Sequence, residues 1–147
     1  MNPNDGFREL DRQECLDRLG EAPIGRVVHT RNALPAVLLV NFSLDAESFV
    51  VLRTSADSEL ARAIDGVVVA FEADAVDAVA HSGWSVVVTG HALVVNDPAE
   101  HAHLVRTGPR SWVTSPSDVF IRIASELVTG RELVGGRTLY GVDLPSS

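Results

Sequence analysis

The chain has 147 residues, 46% of them apolar, and a formal net charge of −8, which fits one folded domain with a core of its own. The negative charge repels nucleic acid and anionic membranes, and no run of Lys or Arg offsets it, so we exclude a nucleic-acid role. The single cysteine, Cys15, excludes an intramolecular disulfide and a Cys-pair metal site. Segment 1–9 has no signal-peptide pattern and no apolar stretch is long enough to span a bilayer, so we expect a soluble cytoplasmic protein.

Three segments carry helix-start signals. Asp11 and Glu14 form a capping-box pattern, and Gly20 is a helix stop signal, so the first helix is expected between them. A second short helix is predicted over 54–63, where acidic residues in the first turn suit the helix dipole. Pro98 is typical of a first helical position and predicts a third helix.

The strands that apolar patterning predicts are short and separated by turn signals. They are expected at 24–30, 36–43, 49–53, 67–73, 84–96 and 119–124, and a segment at 128–134 extends or follows the last of them. Residues 37–40 are a continuous apolar run, which predicts a strand buried on both faces. The acidic, Ala-rich segment 74–83 is predicted as a loop, and Gly90 as a bulge or bend within its strand.

The turns at 31–33 and 45–48 are too short for the crossover helices that a parallel doubly wound sheet needs. The strands at 36–43 and 49–53 are therefore expected to form a hairpin. Together the elements predict one barrel-like α+β domain over 10–134, mainly β, with six strands and two to three short helices. A disordered N-terminal tail at 1–9 and a C-terminal tail at 135–147 are expected to flank it.

The residues at the ends of two predicted strands suggest an anion site. Asn41 and Phe42 lie near the end of one strand, and Arg53, Thr54 and Ser55 join the end of the next to a helix. Free backbone N–H groups at the helix start and the donor fork of Arg53 favour a phosphate group. Alternatively, Ser55 only caps its helix and Arg53 is a solvated edge residue.

Several motifs, in order along the chain, carry a resemblance to a known family. They are IGRVV at 24–28, ALPAVLLVNF at 33–42, VVLRT at 50–54, VVAFE at 68–72, GWSVVVTG at 83–90 and LVTGR at 127–131. This pattern resembles the pyridoxamine 5′-phosphate oxidase-like flavin-binding family of actinobacterial type over nearly the whole chain. The resemblance implies a six-stranded split β-barrel that pairs into a homodimer and binds FMN at the subunit interface.

The resemblance also implies the positions of cofactor-binding residues. Those expected at the isoalloxazine ring are Val40, Asn41 and Phe42; those expected at the ribityl-phosphate end are Arg53, Thr54, Ser55 and Ser58; Trp84 and Ser85 approach from the fifth strand, and Trp112 from the partner subunit. Each tryptophan is equally compatible with an ordinary core or interface role. Asn41 could satisfy backbone groups at a strand end, and Ser58 could be a plain helix residue.

One position departs from the family pattern. Where the family commonly carries Ser-Lys in the phosphate-binding turn, this chain has Ser58-Glu59, which puts a carboxylate beside the expected phosphate. A unit charge at about 4 Å is worth roughly 4 kcal/mol at an effective dielectric constant near 20, and exposure reduces that value. Our hypothesis is that Arg62, one helical turn further on, compensates for Glu59.

The resulting functional prediction is an FMN-binding protein that acts as a flavin-dependent oxidoreductase on an unknown substrate, with no catalytic residue assigned. The alternatives are a barrel that binds a deazaflavin coenzyme or haem, and a cofactor-free dimeric binding or regulatory module. No metal site is expected, because His101 and His103 point to different faces of a helix and the other histidines lie in separate segments. No Rossmann or serine-hydrolase motif is present.

Overall fold

The computed structural model describes residues 6–110, 117–134, 138–139 and 142–143. Its helices are α1 Arg12–Glu21, α2 Glu59–Ile64 and α3 Pro98–Thr107. Its strands are β1 Phe7–Leu10, β2 Ile24–Arg31, β3 Leu34–Leu44, β4 Val50–Ser55, β5 Val68–Asp77, β6 Ser82–Val94, β7 Asp118–Ile123, β8 Leu127–Val134, β9 Thr138–Leu139 and β10 Val142–Asp143. Within these residues no helix is long and apolar enough to cross a membrane.

Six of the strands close into an antiparallel barrel. The main sheet has the order β1-β8-β6-β5-β2-β3-β4-β7, and β6 pairs a second time with β7, which closes the ring β6-β5-β2-β3-β4-β7. Strands β8 and β1 continue the sheet from β6 outside this ring. The predicted mainly β, six-stranded split barrel with short helices is therefore confirmed, and so is the hairpin, which is formed by β3 and β4.

Local capping signals explain where two helices begin. Asp11 accepts from the backbone N–H of Glu14, and the Glu14 side chain accepts from the backbone N–H of Asp11, so both halves of the predicted capping box are present in α1. The helix ends at Glu21, one residue beyond the predicted stop. Asp97 caps α3 by accepting from Glu100, and Pro98 occupies the first turn as predicted.

The barrel interior is filled by apolar side chains from alternate strand positions. Phe42 and Phe71 meet edge to face with their ring centroids 4.6 Å apart. Gly25 is required beside them, because a Cβ at that position would lie 2.2 Å from the Phe71 ring. Gly90, predicted as a bulge or bend, lies where β6 changes partner from β8 to β7, and a Cβ there would lie 1.9 Å from the carbonyl oxygen of Ala124.

The predicted loop at 74–83 is wrong over most of its length. Strand β5 continues to Asp77, and β6 begins at Ser82, so that the β5–β6 ladder runs from Val68↔His91 to Asp77↔Ser82. Acidic residues lower strand propensity, yet here Asp74 points to the outer face and receives a hydrogen bond from Arg26 at 3.1 Å. The tertiary contact outweighs the local preference.

The predicted tails overlap with paired strands. Residues 7–9 of the expected N-terminal tail belong to β1, which pairs with β8 from Phe7↔Leu133 to Leu10↔Gly130. The Arg131 guanidinium lies 4.1 Å from the centroid of the Phe7 ring and adds a cation–π contact to this pairing. Within the expected C-terminal tail, β9 and β10 pair with each other.

The apolar run at 37–40 is not buried on both faces, which corrects the prediction. Val37 is 60% exposed, Leu38 42% and Leu39 63%, whereas Val40 is half-buried against the core. The exposed apolar side chains of this run are not covered by any other layer of the described chain. Such a surface on a strand is typical of an interaction site.

Candidate functional site

The wall of the barrel opens between β3 and β4. Strand β3 pairs with β2 from Leu34 to Asn41, but with β4 only from Phe42↔Leu52 to Leu44↔Val50. Strand β4 continues beyond this point and pairs with β7 as far as Ser55↔Asp118. The β3–β4 ladder thus stops just before Asn41 and Arg53, and the two strands diverge there into a split.

Arg53 is fixed at the edge of this split. Its Nε donates to Asp118 Oδ2 at 2.8 Å, and its guanidinium lies 5.2 Å from the centroid of the Phe120 ring. The Arg53 side chain is only 21% exposed and that of Asp118 only 8%. The alternative that Arg53 is a solvated edge residue is therefore wrong. The ion pair engages Nε, and the Nη groups take no part in it.

Hydroxyl groups gather directly after Arg53. Thr54 Oγ1 donates to Ser58 Oγ at 3.1 Å, and Ser58 Oγ accepts from the backbone N–H of Ala61 at 3.0 Å. Ser58 is therefore the cap of α2, whereas Ser55 accepts from the N–H of Asp57 at 3.3 Å within the preceding turn. The expected cap at Ser55 and the helix start at 54 are corrected by one turn, because the Ser58 side chain makes the capping bond.

Glu59, the residue that departs from the family pattern, has a partner that the sequence does not reveal. Arg31 Nη1 lies 2.6 Å from Glu59 Oε2, and both side chains remain about half exposed, at 51% and 53%. Arg31 is the last residue of β2 and Glu59 the first of α2, so the ion pair joins the end of that strand to the start of the helix. Arg62, which was expected to compensate, is an exposed residue in the last turn of α2. No sequence signal links Arg31 to Glu59, because the contact depends on barrel closure.

The residues expected at the isoalloxazine ring lie on the opposite side of the split. Val40 is half-buried, and Phe42 is buried in the core, so its side chain points away from the split. The Asn41 amide donates to the backbone carbonyl of Arg110, which ties β3 to the segment that follows α3. Asn41 and Arg53 thus lie at the point where the β3–β4 ladder ends, one on each strand.

Trp84 and Ser85 do not join this group within one chain. Ser85 pairs with Asp74 on β5, and Ile24 on β2 pairs with Asn41, so two strands separate Ser85 from Asn41. Neighbouring strands are spaced by about 4.8 Å, which puts the two residues roughly 14 Å apart. Trp84 and Ser85 instead line a groove of about 300 Å³ beside β5, β6 and β8, and Trp84 also packs against the core. Trp112 lies outside the described residues.

The outer face beside this groove carries an ionic cluster. Arg26 Nη1 donates to Glu72 Oε1 at 3.0 Å and to Asp74 Oδ2 at 3.1 Å, so a single cation serves two carboxylates. Partial burial, with Asp74 beside it, raises the pKa of Glu72 to about 7, and Arg26 only partly opposes this shift. The outer face therefore contains a carboxyl group that titrates near neutral pH.

The residues at the split suit a phosphate-bearing planar ligand. Hydroxyl groups of Thr54, Ser55 and Ser58 and the guanidinium of Arg53 are donors of the kind that phosphate oxygens accept from. Leu38, 42% exposed, and half-buried Val40 present apolar surface on the facing strand. A flavin nucleotide combines an apolar ring system with a phosphate and so matches both sides of the split.

Comparison with known proteins agrees with this reading. A protein from Mycobacterium tuberculosis, the uncharacterized protein Rv0080, is 42% identical over 137 residues, covering 86% of this chain and 85% of its own length. The FAD binding protein from Mycobacterium smegmatis is 31% identical, covers 88% of this chain and 100% of its own, and superimposes with a TM-score of 0.77. A conserved protein of unknown function from Corynebacterium diphtheriae is 34% identical, covers 88% and 100%, and has a TM-score of 0.75. The sequence model of the pyridoxamine 5′-phosphate oxidase family matches residues 11–132, and the chain belongs to that family.

Proposed function

We propose that this chain binds a flavin nucleotide, FMN or FAD, in the split between β3 and β4 and acts as a cytoplasmic flavin-dependent oxidoreductase. The observation that carries the proposal is the set of donors at the end of β4, where Asp118 holds Arg53 and the Thr54 and Ser58 hydroxyls meet at 3.1 Å, beside the point at which the β3–β4 ladder stops. The M. smegmatis relative, which is named for FAD binding, supports a flavin as the ligand.

The side chains of this chain would hold and orient the cofactor. Arg53, already aligned by Asp118, would supply further N–H donors to a phosphate, and the Thr54 and Ser58 hydroxyls, which follow it in the chain and contact each other, would supply O–H donors. Backbone groups of β3 near Val40 and Asn41 are in reach of the ring, because the β3–β4 ladder ends there. A bound flavin supplies hydride and electron transfer, and the protein supplies orientation and exclusion of water.

We further propose that the working unit is a homodimer. Val37, Leu39, Val68 and Leu127 are between 51% and 63% exposed and lie on strands of one continuous sheet. A second copy covering this face would remove that apolar surface from water. It would also allow Trp84 and Ser85 of one protomer to approach the split of the other, which they cannot do within their own chain.

The test is the visible absorption spectrum of the purified protein, followed by titration with FMN and with FAD. We expect a flavin spectrum or saturable binding, and a loss of affinity of at least about tenfold in Arg53→Ala because a charged hydrogen-bond donor is lost. A haem or deazaflavin spectrum would support those alternative cofactors instead. A colourless protein that binds neither flavin, and whose melting temperature neither flavin raises, would leave the cofactor-free dimeric module.

A further inference from the structure

Two ion pairs lie near the cluster of hydroxyl-bearing side chains at the end of β4. Arg53 pairs with Asp118 at 2.8 Å, and Arg31 pairs with Glu59 at 2.6 Å. The remaining charged residues on α2 and the turn before it are Asp57 and Arg62, which are both exposed. The described residues of α2 and the turn before it therefore offer donors to a phosphate without a surplus of positive charge, and the exposed Arg110, whose backbone carbonyl accepts from Asn41, is the further cation near the split.

The flavin nucleotides differ in the charge that they would bring to this point. The terminal phosphate of FMN is a monoester and carries about −1.5 to −2 at pH 7, because its second pKa is near 6. In FAD each phosphate carries one ester and one anhydride linkage and so one negative charge, and the second charge lies one phosphate further along the ligand. The carboxylate of Glu59 would oppose the concentrated charge of the monoester more strongly than the single charge of the first phosphate in FAD.

We infer that the Arg31–Glu59 ion pair is a specificity device, which makes the site take a flavin dinucleotide in preference to the mononucleotide. The inference rests on the proposed flavin function and adds which nucleotide is bound. Arg31 neutralises enough of the Glu59 charge for one phosphate charge to be accepted. Because the pair is about half exposed, we expect the discrimination to weaken with added salt.

The experiment compares dissociation constants of FAD, FMN and riboflavin for the full chain, measured by quenching of flavin fluorescence at low salt. The wild type is expected to bind FAD at least about tenfold more tightly than FMN. Glu59→Lys should improve FMN binding by a larger factor than FAD binding and remove the preference. Arg31→Gln, which exposes the full Glu59 charge, should weaken FMN binding more than FAD binding.

Glu9→Gln is the control, because it removes an exposed carboxylate from β1, which lies outside the barrel ring and away from the split. It should leave the ratio of the two dissociation constants unchanged. Equal affinities of the wild type for FMN and FAD, or a Glu59→Lys effect that is the same for both ligands, would overturn the specificity role while leaving the flavin function intact. Riboflavin binding as tight as that of FAD would also overturn it, since the phosphate would then not be sensed. Failure of the wild type to bind any of the three would instead reject the flavin function on which the inference rests.

Discussion

Arg53 and Asp118 join neighbouring strands of the barrel through a 2.8 Å ion pair in which the carboxylate is 8% exposed. Asp118 orients the guanidinium, but its charge also competes with any anion for Arg53. Asp118→Asn should therefore strengthen FMN binding several-fold at low salt, because the competing charge is gone while the side-chain shape is kept. Calorimetric titration measures this change, and a weaker FMN affinity in the variant would show that orientation matters more than competition.

The pH dependence of stability should contain a contribution from Glu72. Its pKa rises from about 4.5 to about 7 in the folded chain, first because of burial and then because of Asp74. Between these values the folded chain holds a proton that the unfolded chain has released, so stability falls as the pH rises through this window. Glu72→Gln should raise the free energy of unfolding at pH 8 by roughly 1–2 kcal/mol, a value reduced for partial exposure, and change it little at pH 4.5.

Urea denaturation at both pH values measures this effect. Asp77→Asn serves as the control, because Asp77 is an exposed acid at the end of the same strand. A Glu72→Gln effect of equal size at both pH values would contradict the assignment to Glu72 titration.

The proposed dimer can be tested at the exposed face of β3. Leu39 is 63% exposed, so Leu39→Lys should fold normally as a single chain, yet it would bury a charge in a covered interface. We expect light scattering to report a monomer for Leu39→Lys and a dimer for the wild type. Val79→Lys, at a position that is 95% exposed in the turn after β5, should leave the oligomeric state unchanged. A wild-type monomer at working concentration would rule out a cofactor site shared between subunits.

Gly90 should be among the least tolerant positions of the barrel. A Cβ at Gly90 would lie 1.9 Å from the carbonyl oxygen of Ala124, so Gly90→Ala must push apart β6 and the segment after β7. We expect a loss of at least about 2 kcal/mol in the free energy of unfolding, measured by denaturant titration. Gly20→Ala is the contrasting variant, since nothing lies within 4 Å of its Cβ, and it should stabilise α1 by about 0.5–1 kcal/mol.

The sequence predicts those features that depend on residues close together in the chain. The capping box of Asp11 and Glu14, the start of α3 at Pro98 and the β3–β4 hairpin follow from signals within a few residues. Features that depend on barrel closure could not be predicted in this way. The strand over 74–77 exists because β6 pairs with it, and the Arg31–Glu59 contact exists because the end of β2 meets α2.

In the candidate site, too, some features follow from residues close together in the chain and others depend on the whole sheet. The contact of Thr54 Oγ1 with Ser58 Oγ at 3.1 Å follows from their neighbouring positions in the chain, whereas the ion pair of Arg53 with Asp118 joins two strands that are distant in sequence. The separation of Ser85 from Asn41 follows from the strand order, which is a property of the whole sheet. The exposure of residues 37–39 could not be predicted for the same reason, because an apolar pattern does not reveal whether the surface that covers it belongs to the same chain.

The short strand β1 has a consequence for how the protein can be shortened. Within the described residues it pairs only with β8, so it forms the outer edge of the main sheet, and it carries charged Arg8 and Glu9 on that edge. Removing residues 7–10 would uncover the edge of β8 over residues 130–133, between Leu127 and Val134, which are already exposed. An uncovered strand edge is a template for pairing with other chains, so we expect a chain shortened in this way to aggregate more readily.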